Sequence, residues 1–252
     1  KDYNMSIQLL KAQDQNTGTF DNGKIKERKP IAFPGENPVL QPFSTLFYWA
    51  YAWSNHGGLI AEHPHRGFEI CTFVLDGSIE HYDSKNQAWL SLAAGDVQII
   101  RSGNGITHAE RLNPGGRIFQ IWFDPDLQQS LGKPASYDDY RADTFPVAGQ
   151  NGYKQTTFIG PDAPITMDTP VQARRIELAK GEHVVALAPD HKAGLFLLDG
   201  ELNLSGTEMQ KGDFALVDQE QNLTINATTD AILFAIEVPD PAPYPTYAQA
   251  RG

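Results

Sequence analysis

Two short stretches of this chain repeat each other, and that repeat limits the fold more than any other feature. Phe196-Leu197-Leu198-Asp199-Gly200-Glu201-Leu202 echoes Phe73-Val74-Leu75-Asp76-Gly77-Ser78-Ile79 at an offset of 123 positions. Lys211-Gly212-Asp213-Phe214-Ala215 echoes Ala94-Gly95-Asp96-Val97-Gln98 at an offset of 117. Each echo sets a turn signal against an apolar run, the pattern of strands joined by tight turns. Two echoes at nearly one offset read as the duplication of a β-domain.

The punctuation around the first copy predicts an antiparallel all-β unit with a strand every ten residues or so. Glu69 to Leu75 is a β-branched and aromatic run ended by Asp76-Gly77, and Ser78 to Tyr82 returns from it. Ala94-Gly95-Asp96 turns into Val97 to Arg101, Ser102-Gly103-Asn104-Gly105 is a loop leading to His108, and Arg117 to Phe123 closes the series. Upstream, residues 6–45 read as short strands and loops around Asn22-Gly23, Pro34-Gly35, Pro38 and Pro42. The aromatic run from Phe47 to Trp53 reads as a strand of core and barrel wall rather than a substrate platform. Residues 124–152, acidic and rich in turns, read as a connection between two domains, placed at residues 1–140 and 141–252.

A chain of 252 residues with 40% hydrophobic side chains can bury one large core or two ordinary ones. Its net charge of −11, without clustered Lys or Arg, argues against direct contact with nucleic acid or an anionic membrane. The longest apolar runs are strand-length, so no membrane span is expected. A lone Cys71, read as a small core residue, excludes an intramolecular disulfide and fits a reducing, cytoplasmic setting. Lys1 is not a natural start; Met5 is the expected initiator, and a cleaved leader upstream stays open.

The chemistry gathers in one stretch, residues 57–69, and a distant partner, Thr107-His108-Ala109-Glu110. If residues 63–69 form one strand, His63, His65, Gly67 and Glu69 share a face, because side chains alternate with period two. The same parity aligns His108 with Glu110. Facing each other, the two strands would bring three imidazoles and one or two carboxylates around a point, the donor set of a divalent metal with open positions. Shifting His63, His65 and Glu69 by 123 lands on Ala186, Ala188 and Lys192, and shifting His108 and Glu110 by 117 lands on Ile225 and Ala227. The second copy therefore lacks the donors, and one metal per chain is expected. His183 and His191 read as surface or loop residues, His56 as solvated, His81 as capping or pairing at a hairpin, and Arg66 as structural. Spacing alone leaves Glu69 and Glu110 equal candidates for the carboxylate ligand.

His63-Pro64-His65-Arg66-Gly67-Phe68-Glu69, Leu75-Asp76-Gly77-Ser78-Ile79-Glu80-His81-Tyr82-Asp83-Ser84, Gly95-Asp96-Val97-Gln98 and Gly103-Asn104-Gly105-Ile106-Thr107-His108-Ala109-Glu110 together resemble the pirin family of bicupins. Gln120-Ile121-Trp122 followed by Pro134-Ala135-Ser136-Tyr137 is similar to bacterial members with quercetinase activity. The resemblance implies two tandem antiparallel β-barrel domains of jelly-roll type. It also implies one divalent ion, usually Fe(II), with Mn, Ni, Zn, Cu or Co as alternatives, on His63, His65, His108 and Glu110. Glu69 would then orient a His N–H or a water. The activity implied is dioxygen-dependent cleavage of a flavonol such as quercetin with release of carbon monoxide, Glu110 serving as ligand and proton acceptor. The family also implies a non-enzymatic alternative, a metal- or redox-sensing regulatory protein with a protein partner. An enzyme needs a site open to substrate, whereas a sensor can keep its metal nearly sealed.

Overall fold

The computed structural model describes residues 6–218 and 221–251, so the expectation at Met5 lies outside the described residues. The described chain forms two compact units. The first holds residues 15–144, 167–169 and 244–251, and the second holds 6–14, 145–166 and 170–243. The contact division falls between Thr144 and Phe145, and both chain ends depart from a simple split into 1–140 and 141–252. The first strand of the chain joins the second unit, and the last helix joins the first.

In the first unit a seven-stranded sheet runs in the spatial order Ser136–Tyr140, Val97–Arg101, Glu69–Asp76, Arg117–Phe123, Leu46–Trp53, Ile25–Ile31 and Asn16–Phe20. A four-stranded sheet, Gly58–His65, Ile106–Leu112, Ser78–Asp83 and Trp89–Ala93, faces it. The second unit repeats this plan. Its seven strands are Ser6–Leu10, Phe214–Asp218, His191–Asp199, Ala231–Pro239, Gln172–Leu178, Tyr153–Ile159 and Val147–Gln150. Its four are Gly181–Ala186, Asn222–Ala227, Glu201–Leu204 and Thr207–Gln210. Strand orders agree position by position, so the echo in the sequence does mark a duplicated domain. Each expected barrel is two open sheets face to face rather than one closed cylinder. The 124–152 segment is more than a connection: Ser136–Tyr140 pairs with Val97–Arg101 at the edge that Ser6–Leu10 occupies in the other copy.

The two interiors differ in chemistry. In the second unit, Leu204, Leu223, Ile225 and Ala227 belong to one continuous apolar core. In the first, Ile25, Val74, Ile79, Leu92, Leu112 and Ile118 fill only one end between the sheets. Above them lie buried polar groups, among them Thr72, His81, Gln98, His108 and Glu110. Pairing also corrects the offset used for the second motif. Leu112 faces Ile79 and Ala227 faces Leu202, an offset of 115, so His108 and Glu110 correspond to Leu223 and Ile225. The conclusion is unchanged, since both are buried and apolar. The aromatic run is a strand, Leu46–Trp53, with Trp49 fully buried. No described helix is long and apolar enough to cross a membrane.

Candidate metal centre

The strand Ile106–Leu112 lies between Gly58–His65 and Ser78–Asp83, which puts His108 opposite His63 on one side and Asp83 on the other. Beyond His108 the register with Gly58–His65 slips, so that Glu110 pairs with Ile60. This β-bulge, a device that re-aims a side chain, leaves Ala61 and Glu62 as the slack of the strand. The carbonyl of Ala61 accepts from Nδ1 of His63 at 2.7 Å, so the Nε2 lone pair of His63 points away from the backbone.

Three imidazole nitrogens converge there. Nε2 of His108 lies 2.9 Å from Nε2 of His63 and 2.9 Å from Nε2 of His65. The ring planes stand at 60° to 85° to one another, as donors do when they aim at a common point. Burial and the neighbouring imidazoles push His65 down to about 3 and His108 down to about 2, so both are neutral lone-pair donors at physiological pH. Converging imidazole nitrogens with a carboxylate close by form the donor set of a divalent cation. Trp122 stands edge-on to His65, with ring centroids 4.7 Å apart.

The depressed values set a pH dependence. An unfolded histidine titrates near 6.5, so below that pH the unfolded chain binds more protons than the folded one. Stability of the metal-free protein therefore rises with pH through the window from about 2 to 6.5, is fully present above it, and is lost as pH falls. Melting temperatures of metal-free wild type and His108→Ala, compared from pH 7 to pH 4, should show the smaller acid loss in the variant. Parallel curves would contradict the assignment.

Glu110 is fully buried on the same strand, two residues beyond His108. Thr72 donates to its Oε1 at 3.2 Å and Nε2 of Gln120 donates to its Oε2 at 2.7 Å. The indole of Trp122, which can only donate, bonds Oε1 of Gln120 at 3.1 Å and so fixes the Gln120 amide with its NH2 toward Glu110. His63, His65 and His108 form one group of candidate donors, and His81, His108 and Glu110 form another, each within 4.8 Å. From its place after the Asp76-Gly77 turn, His81 is expected to cap or pair at a hairpin. It is instead fully buried opposite Glu110, and burial lowers its pKa against the pull of the Glu110 and Asp83 carboxylates. The signal was the alternation Ile79, His81, Asp83 after the Asp-Gly turn.

Glu69 goes elsewhere. The chain does not run as one strand from His63 to Glu69: it leaves the four-stranded sheet at His65, turns at Gly67 with φ +86°, and enters the seven-stranded sheet at Glu69. A side chain at 67 would need that left-handed backbone and would meet Leu127 at 2.8 Å. Parity across the turn is lost. Glu69 accepts from the backbone N–H groups of Asp168 and Thr169, both at 2.8 Å, and from the Thr169 hydroxyl at 2.5 Å. It pins residues 167–169 and orients no imidazole. Glu69→Ala should cost about 2–4 kcal/mol of folding stability by stranding those donors, while metal content per folded chain stays at the wild-type level; paired denaturation and elemental analysis check both halves.

Rings surround the open side of the histidines: Trp122 contacts Phe33, Tyr48 and Phe68 at centroid distances of 5.1, 5.5 and 5.8 Å. The last helix, Tyr247–Arg251, adds Tyr247, which packs on Phe47 and Phe68, and its first backbone N–H groups are held by Asp124. His63 and His65 remain partly exposed. His56 is solvated as expected, and His183 and His191 each bond a backbone carbonyl in the second unit.

Known proteins resemble the chain along almost its whole length. The Pirin family profile matches residues 25–123, and the profile described as the quercetinase C-terminal cupin domain matches residues 160–238. A pirin-like protein from Caulobacter vibrioides is 34% identical over 228 residues, which cover 87% of this chain and 95% of that one. The chain belongs to the pirin family. Among its pirin relatives, one from Escherichia coli named quercetin 2,3-dioxygenase is 28% identical over 70% of this chain and 75% of its own. The crystal structure of a bacterial pirin from Escherichia coli in complex with nickel(II) superposes with a TM-score of 0.77 at 25% identity, covering 93% of this chain and 99% of that one. Pirin membership accounts for the two cupin domains and for the single cluster of histidines in the first.

Proposed function

We propose that this pirin is a metal-dependent dioxygenase that opens flavonols such as quercetin with release of carbon monoxide, using one divalent ion, Fe(II), held by His63, His65, His108 and Glu110. The observation that carries the reading is the convergence of three imidazole nitrogens, two of them on partly exposed rings, beside the Trp122 indole. An ion bound there supplies a Lewis-acidic position with sites left for a substrate oxygen and dioxygen. The residues do the rest. Trp122 and Phe68, both partly exposed, offer apolar ring surface to a planar polyphenol. Glu110, held by Thr72 and Gln120, presents an acceptor for the 3-hydroxyl proton, and the Gln120–Trp122 bond ties that carboxylate to the aromatic wall.

Partial exposure of His63 and His65 favours turnover over the sealed site that a regulatory protein reading predicts. A buried, solitary Cys71 suits a cytoplasmic setting. Iron-loaded protein should consume quercetin and release carbon monoxide in air, and stop under nitrogen. Iron-loaded protein that leaves a panel of flavonols intact, yet binds a protein partner differently in its ferrous and ferric states, would replace this reading with the regulatory one.

A further inference from the structure

His81 has no part in the proposed ligand set, yet its surroundings tie it to the same ion. It is fully buried, and among the described residues neither Nδ1 nor Nε2 makes a hydrogen bond. Asp83 approaches its Nε2 at 3.4 Å but spends its oxygens on Lys85 N, Asn86 N and Asn86 Nδ2. A buried imidazole nitrogen left without a hydrogen bond costs about 1–3 kcal/mol. A residue with a packing role alone would be cheaper as Phe or Leu.

The ring is also held still. Tyr137 stacks on one face at 4.6 Å and 17°, with its own hydroxyl bonded to Asp139 and Gln98, and His108 lies 5.4 Å away. Pairing of Ser78–Asp83 with Ile106–Leu112 places His81 directly across from Glu110. A nitrogen of His81, a nitrogen of His108 and an oxygen of Glu110 lie within 4.8 Å of one another. Thr72 and Gln120 each take one position on the Glu110 carboxylate, and its remaining lone pairs are open to a third donor.

We propose that His81 is a positioning residue that holds the Glu110 carboxylate toward the ion, donating to it from the side opposite Thr72 and Gln120. The inference rests on the reading of His63, His65, His108 and Glu110 as the metal centre. Outer partners of this kind fix the angle and basicity of a ligand and change affinity by about 10–100-fold when removed. His81 would therefore shape the ligand field without contacting the ion.

Cobalt(II) titration followed by visible absorption tests this on the full chain, with circular dichroism as the check on folding. His81→Phe keeps the ring volume and the stack on Tyr137 but cannot donate, and His81→Gln keeps a donor. Expected are a loss of affinity of about tenfold or more and altered ligand-field bands in His81→Phe, with wild-type bands and near wild-type affinity in His81→Gln. A Phe variant that matches wild type shows a packing role and overturns the proposal. Equal loss in both variants makes His81 itself a ligand and overturns it as well. If Phe fails to fold, Gln decides alone: bands that differ from wild type refute the inference. Wild-type protein that binds no cobalt at all would instead remove the metal-centre reading, and this inference with it.

Discussion

Replacing His108 by alanine is expected to empty the metal centre. Its Nε2 is the one atom that lies 2.9 Å from both other imidazole nitrogens, and it is the donor common to both candidate groups. Changes to outer partners alone lower affinity by about 10–100-fold, so loss of this inner donor should exceed 100-fold and abolish flavonol turnover. Folding should survive, because the missing ring is one that resists protonation and gains little from burial without a cation. Elemental analysis of purified variant and wild type, normalised to folded protein, reads the effect. Retention of a full equivalent of metal would remove His108 from the centre.

The second large effect is at Glu110. Glu110→Gln preserves shape but puts an NH2 where Thr72 Oγ1 or Gln120 Nε2 now donates, and it removes the negative charge that balances a divalent ion. Metal affinity should fall at least about tenfold. Turnover should fall by about 10²–10⁴-fold, the usual worth of a positioned proton acceptor. Glu69→Gln should change neither, since its carboxylate serves residues 168 and 169. Metal titrations and initial rates of quercetin loss on the two variants separate the roles, and equal losses would mean that the carboxylate is wrongly assigned.

What the sequence revealed and what it hid follow from one physical distinction. Alternation along a strand is local and strict, so His63 with His65, and His108 with Glu110, could be read as same-face pairs. Gly punctuation at Gly77, Gly95 and Gly103 marks turns, which is why the duplication of a β-domain was legible although the strand order was not. Parity does not survive a turn, and the expectation for Glu69 failed at Gly67, whose left-handed φ moves the next residues to the other sheet. Gly67 was itself the available signal. The partners of Glu69 lie 99 and 100 positions away, beyond any local rule. Crossing of the chain ends between units was hidden for the same reason: Ser6–Leu10 pairs with Phe214–Asp218 more than two hundred residues later. His81 was hidden by context, since only cross-strand register places it opposite Glu110.

Anomalous diffraction from a crystal grown with an excess of iron or nickel tests the central claim most directly. One peak per chain is expected in the first unit, about 2.1 Å from Nε2 of His63, His65 and His108, with an oxygen of Glu110 completing the set. A peak seated among residues of the second unit, or metal-bearing crystals with no density at those three nitrogens, would contradict it.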